Sequence, residues 1–300
     1  MGDSVQVAPL VVRRQSGFFS GLPLWQGAAL LILLAWLYAD VLSRLFTQWM
    51  HDENASHGFF VPVFALFVLW KNREELKKVA PAPSWTGLAL IIGGLVILML
   101  GQFGAEIFLS RVSFLFLLAG MIVLFHGWPL FRAVFFPWAF LILMIPFPVI
   151  IFQKVTFPLQ ILASKLASTA LPILGVVVHR EGNVIELAAM KLQVVTACSG
   201  IRSLLSLLTL AIIYGYLMED RNWVRVLLVI AAVPIAVVAN SFRIVGTGLL
   251  VEYWDPDKAE GFFHLFEGWL IFVACLIMLF VFHSVIVRIW KETGREARPA

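Results

Sequence analysis

Three side chains suited to chemistry stand where a membrane makes charge expensive. Cys198 lies in TACSGIRS at the head of an apolar run, Arg243 in ANSFRIVG near the end of a later one, and His264 in GFFHLFEGW at the start of the last. Ionisable groups at such depths are functional candidates by default. A thiol attacks a carbonyl as the thiolate, and the unpaired N–H groups and dipole of a helix N-terminus favour that anion. Arg202, four residues on, shares the helical face of Cys198 and favours it further. An imidazole such as His264 can take the thiol proton and later protonate a leaving amine. Arg243 stays protonated, so its task would be to hold a carbonyl or the oxyanion of a tetrahedral intermediate. Taken singly, each has a plainer reading: a structural thiol, a guanidinium snorkelling to headgroups, an interfacial histidine anchor.

Neighbouring residues could support this set. Glu267 follows His264 by three and could fix its tautomer, although a solvated carboxylate suits the position equally. Asn240, a turn before Arg243, could donate to a substrate carbonyl, brace the arginine or simply pack. Ser199 could cap the helix that Cys198 begins, and His57 in NASHG could line an entrance or make a turn. Cys275, inside LIFVACLIML, behaves as a small hydrophobe. His126, His179 and His283 are scattered without the spacing of metal ligands, so neither a metal nor a cofactor is expected.

The elements that must position these groups follow from composition. Of 300 residues 61% are hydrophobic and 13% charged, against about 25% charged in soluble domains. The formal charge of +4 is spread over short loops, so nucleic acid is not an expected partner and membrane lipid is. Apolar segments fall at 24–43, 58–70, 84–103, 107–126, 130–152, 198–217, 223–250 and 262–289. Arg13 and Arg14 precede the first, which reads as a retained helix or signal anchor. The stretch 156–178 contains Lys165 and is interrupted by Pro158, Pro172 and Gly175, which suggests an interfacial or re-entrant element. REGNVIELAAMKLQVV alternates around a small-residue turn and predicts a β-hairpin leading into Cys198. Gly93-Gly94 and Gly101 suit close helix packing.

With the N-terminus inside and 156–178 not spanning, 13 of the 22 basic residues fall on the cytoplasmic side, Arg221 and Arg225 among them. Most acids fall outside. The expectation is an all-α integral membrane bundle of about eight transmembrane helices with a small extracytoplasmic β-hairpin. Residues 1–20 form a cytoplasmic segment, 21–290 the membrane domain and 291–300 a cytoplasmic tail. Cys198, Arg243 and His264 then share the outer face.

VVTACSGIRSLLSLL, AVVANSFRI and GFFHLFEGW closely resemble the three signature regions of the exosortase/archaeosortase family. DENASHGFFVPVFALFVLW is similar to its N-terminal motif, and LGVVVHREGNVIEL to the segment before its cysteine. The resemblance covers roughly residues 20–290, and the histidine at 264 is similar to the bacterial exosortase branch. It implies a membrane-embedded cysteine protease/transpeptidase with Cys198 as nucleophile, Arg243 as stabiliser and His264 as third member. The implied partners are exported proteins with a C-terminal sorting signal (Pro-Glu-Pro, an apolar helix, a basic tail) and an acceptor of unknown nature, in a setting of exopolysaccharide and biofilm. On that reading Arg180 and Lys191 could attract the motif's glutamate. The implied location is a bacterial inner membrane, with both termini cytoplasmic and the site periplasmic. A non-enzymatic component of polysaccharide export or transport, or a membrane acyl- or glycosyltransferase using His264 and an acid, would fit the span pattern too.

Overall fold

The computed structural model describes residues 24–52, 55–188, 191–193, 200–253 and 256–296. Within these, side chains at 24, 26–27, 193, 200–203, 256–269 and 292–296 are left undescribed. The chain divides into two compact units, one within Met1–Arg44 and Ala65–Ile142, the other within Leu45–Phe64 and Leu143–Ala300.

Helix α1 (Leu24–Leu37), in the first unit, meets α2 (Ala39–His51), which passes into the second unit at Leu45, at a 66° bend instead of forming one straight span. Tyr38 makes the bend. It is fully buried, its hydroxyl lies 2.8 Å from Ser113 Oγ, and the amide-to-carbonyl bonds continue on both sides of it. Helix α3 (Phe60–Lys71) follows a 3₁₀ turn at Ser56–Phe59, and α4 (Arg73–Lys78) carries exposed Glu74–Lys77 and Glu75–Lys78 pairs.

Helices α5 (Thr86–Phe103) and α6 (Ile107–Phe125) pack as a close antiparallel pair. Gly87, Gly94 and Gly101, seven residues apart, form the seam. A methyl group on them would strike Leu124 and Gly120, Leu117, and Ser110 respectively. Gly93 faces open space, so only two of the three glycines expected in contacts make them.

The segment 130–152, expected as one span, is broken. It holds α7 (Trp128–Ala133), α8 (Phe135–Phe140) and a 3₁₀ turn at Leu141–Met144. Pro129, Pro137, Pro146 and Pro148 each lack an amide hydrogen, which prevents a long ladder. At the entrance Gly127 takes φ 89° and pairs with Ala82, whose carbonyl leaves no room for a Cβ.

The converse correction falls in the second unit. Where 156–178 was expected not to span, α9 (Val149–Ile173) is one helix of 25 residues, apolar and long enough to cross. Pro158 is accommodated inside it. Pro172 and Gly175 mark its end: Val176 N donates to Leu171 O and Gly175 N to Pro172 O, with Gly175 at φ 86°. The expected hairpin is a three-stranded antiparallel sheet, β1 (His179–Glu181), β2 (Val184–Glu186) and β3 (Lys191–Gln193), in that order. Ile185 and Leu192 turn inward onto Ala163, Ala167 and Leu171 of α9 and onto Ile244 and Val251. Those last two belong to α11 (Asn222–Tyr253), which lies between α10 (Gly200–Met218) and α12 (Pro256–Glu296) in the chain.

Among the described residues, five helices and the bent α1–α2 pair are long and apolar enough to cross a membrane. The class is the expected one, an all-α membrane protein with one small sheet.

Candidate functional site

Three helices of the second unit share a register that decides which residues lie level at one end. The Arg221 guanidinium sits 4.4 Å from the Trp290 ring centre, tying the start of α11 to the far part of α12. Tyr214 of α10 lies 2.8 Å from His283 Nδ1 of α12. Gly215 of α10 abuts Arg225 of α11. Above these contacts an apolar core joins Leu207 and Ala211, Leu228 to Ala236, and Cys275 and Leu279. Cys275 is thus a core residue.

Counting upward places the predicted residues. From Arg221, 22 residues along α11 reach Arg243, and from Trp290, 26 residues back along α12 reach His264. At 1.5 Å per residue the two backbone positions differ in level by ~6 Å, about one turn. From the Gly215–Arg225 contact, 15 residues along each helix reach Gly200 and Asn240. The first turn of α10 is therefore level with the Asn240–Arg243 stretch.

Arg243 is half-buried, with Nε shielded from solvent. Asn240 is buried and faces a cavity between α9, α10 and α11. Cys198 and Ser199 lie outside the described residues, immediately before Gly200. Arg202, His264 and Glu267 have described backbone, in α10 and α12, but side chains outside the description. His57 is half-buried in the 3₁₀ turn, which packs on α10.

Arg180 and Lys191 stand on the sheet, and both are engaged. Arg180 donates to Gly182 O at 2.7 Å. Lys191 pairs across β2–β3 with Glu186, its register partner. Hydrogen bonding and charge from Lys191 hold the Glu186 carboxyl below the usual range, and Glu186 raises the lysine in return. The sheet sits at the Tyr253 end of α11: Leu171 contacts Gly248, Tyr253 donates to Leu174 O, and Ser164 donates to Gly182 O.

Two features escaped the sequence reading. Gln160, on the helix expected to be broken, lines the cavity with Asn240. A carboxamide within an apolar run was the available signal. At the opposite end, Glu219 gathers Arg221 (2.8 and 2.9 Å) and His283 (3.4 Å), while Arg225 donates to its carbonyl at 2.7 Å. The Arg221 hydrogen bond, chiefly, pulls the Glu219 carboxyl down to about 2. Among the described residues no three His, Cys, Asp or Glu side chains gather.

The geometry can supply a cation for a developing oxyanion, a helix start level with it and a third helix whose His264 position lies about one turn away in level. The model of a family described as transmembrane exosortase matches residues 49–281, from the end of α2 well into α12. Neither the curated proteins nor the solved structures returned a match.

Proposed function

Because the chain belongs to the transmembrane exosortase family, we propose that it is a cysteine-dependent protease and transpeptidase that cleaves C-terminal sorting signals of exported proteins. What supports this reading is that the α10 start, Arg243 and the His264 position, counted at 1.5 Å per residue, fall within about one helical turn of each other along three helices packed together. Residues distant in sequence act on one peptide bond only if their helices are in register.

In the mechanism, the Cys198 thiol loses its proton to His264 and the thiolate attacks the scissile carbonyl. Negative charge moves onto the carbonyl oxygen, where Arg243 and the α10 N-terminus stabilise it. As the intermediate collapses, the C–N bond breaks and His264 returns the proton to the leaving amine. A thioester to Cys198 remains. Water, an amine or a hydroxyl then attacks it, passing a proton to His264 and regenerating the thiol. Glu267 orients His264, and Ser199 and Arg202 support the thiolate.

The site faces the periplasm of a bacterial inner membrane, with both termini cytoplasmic. Counting the bent α1–α2 pair, α5, α6 and α9, four crossings precede Arg221, an even number like the expected six. Arg221, Arg225, Arg288 and Lys291 therefore keep the cytoplasmic side. The outer sheet then meets arriving substrate, Arg180 and Lys191 attracting an acidic signal residue and His57 lining the entrance. Polysaccharide-linked surface sorting is the setting.

The test is a reporter ending in Pro-Glu-Pro, an apolar helix and a basic tail, coexpressed with the full chain. Cys198→Ala should abolish cleavage while inserting normally, and hydroxylamine should release a thioester trapped on the wild type. Normal cleavage by Cys198→Ala would end the proposal in favour of a non-enzymatic role or a His264-based transferase.

A further inference from the structure

Gln160 on α9 and Asn240 on α11 are 7% and 5% exposed, and both face the cavity described above, of about 20 Å³. Leu159, Leu204, Ala236 and Val237 make the rest of the wall apolar, and Thr156 has committed its hydroxyl hydrogen to Phe152 O at 2.8 Å. Neither carboxamide hydrogen-bonds to another described residue. Both carboxamides open onto the cavity, so a polar group that enters it can bond to them.

We propose that Gln160 and Asn240 form a backbone-binding subsite, their carboxamides bonding to a C=O and an N–H of the substrate polypeptide where it unwinds beside its scissile bond. The inference rests on the function proposed above. Three observations lead to it.

The first is charge. Among the described residues no ionised side chain lines the cavity, which suits a neutral occupant, and a carboxamide offers the donor and acceptor that complement a peptide group. The second is size. The space matches one water-sized group, which admits a carbonyl oxygen or an amide and refuses a large side chain. The third is place. Asn240 is three residues before Arg243 on α11, an axial step of ~4.5 Å. An extended chain advances about 3.3–3.6 Å per residue. A peptide group held at Asn240 is therefore one or two residues from a carbonyl held at Arg243.

The physical need is plain. An apolar sorting helix must unwind before a thiolate can reach its carbonyl, and backbone groups freed inside a bilayer are costly unless the protein satisfies them. A ligand-free subsite would hold an ordered water that the peptide displaces.

Steady-state kinetics of the full-length protein in proteoliposomes, with the tripartite reporter, tests this. Gln160→Met and Asn240→Leu keep volume and remove hydrogen bonds. Each should raise KM about fivefold, and both together more, with kcat within about twofold, the pattern of lost binding common to ground and transition states. Binding of the reporter to Cys198→Ala should weaken by the same factors when either change is added. Unchanged KM in both variants, with Cys198→Ala inactive, overturns the subsite and leaves the proposed function standing. It would mean a structural water only. A fall in kcat alone, or loss that follows only the amount of folded protein, overturns it as well. Normal cleavage by Cys198→Ala overturns both.

Discussion

Glu219 and His283, 64 residues apart in sequence, meet with carboxylate and imidazole 3.4 Å apart, and Tyr214 holds the other ring nitrogen at 2.8 Å. With Arg221 on the same carboxylate and over Trp290, one acid joins α10, α11 and α12 at the end away from the candidate site. Because a helix is stiff, a register set there is carried to the other end.

Glu219→Gln should therefore lower stability by about 2 kcal/mol, the scale of lost hydrogen bonds to a charged group. Thermal unfolding in detergent measures it. The carboxyl is depressed to about 2 from an ordinary 4.5, so its contribution is complete above about pH 4.5 and fades as pH falls toward 2. Wild type and variant should differ fully at pH 6 to 7 and converge under acid. A gap that widens on acidification would contradict the assignment.

Arg243→Ala should reduce kcat about 10²- to 10³-fold with little change in KM, as for loss of one oxyanion donor. Arg243→Lys should recover part of the rate, since it keeps the charge and loses the planar fork. An equal rise in KM would make Arg243 a binding group instead.

The α5–α6 seam gives a paired test. Gly87→Ala drives a methyl into the backbone at Gly120 and Leu124 and should destabilise by more than ~2 kcal/mol. Gly93→Ala meets nothing within 4 Å and should stabilise by about 0.5–1 kcal/mol through lost unfolded-state entropy. Equal melting temperatures for the two variants would refute the contact.

Tyr38→Phe removes the hydroxyl partnered to Ser113 inside the first unit. The expected cost is about 1 kcal/mol, read as a lower denaturation midpoint. Ser113→Ala should cost similarly, and the double variant no more than either alone plus a few tenths.

The class of this protein was legible in its residues, because 61% hydrophobic composition and apolar runs near 20 residues leave few alternatives to spanning helices. So was the candidate set, since Cys198, Arg243 and His264 interrupt those runs and their motifs resemble one family in order. Proline misled in both directions. Pro158 is tolerated within α9, whereas Pro146 and Pro148 part α8 from α9, and local sequence does not say which carbonyls find other partners.

What remained for the tertiary structure was register. Sequence determined which side chains carry charge, hydrogen-bonding groups or bulk. Only the packing of α9, α10, α11 and α12 decided that Gln160 and Asn240 line one cavity, that Glu219, in the turn after α10, gathers Arg221 and His283, and that Arg243 and the His264 position fall about one turn apart in level. The physical reason is range: patterns of 3.6 residues report one helix face at a time, while the sliding of one helix against another depends on side chains far apart in the chain.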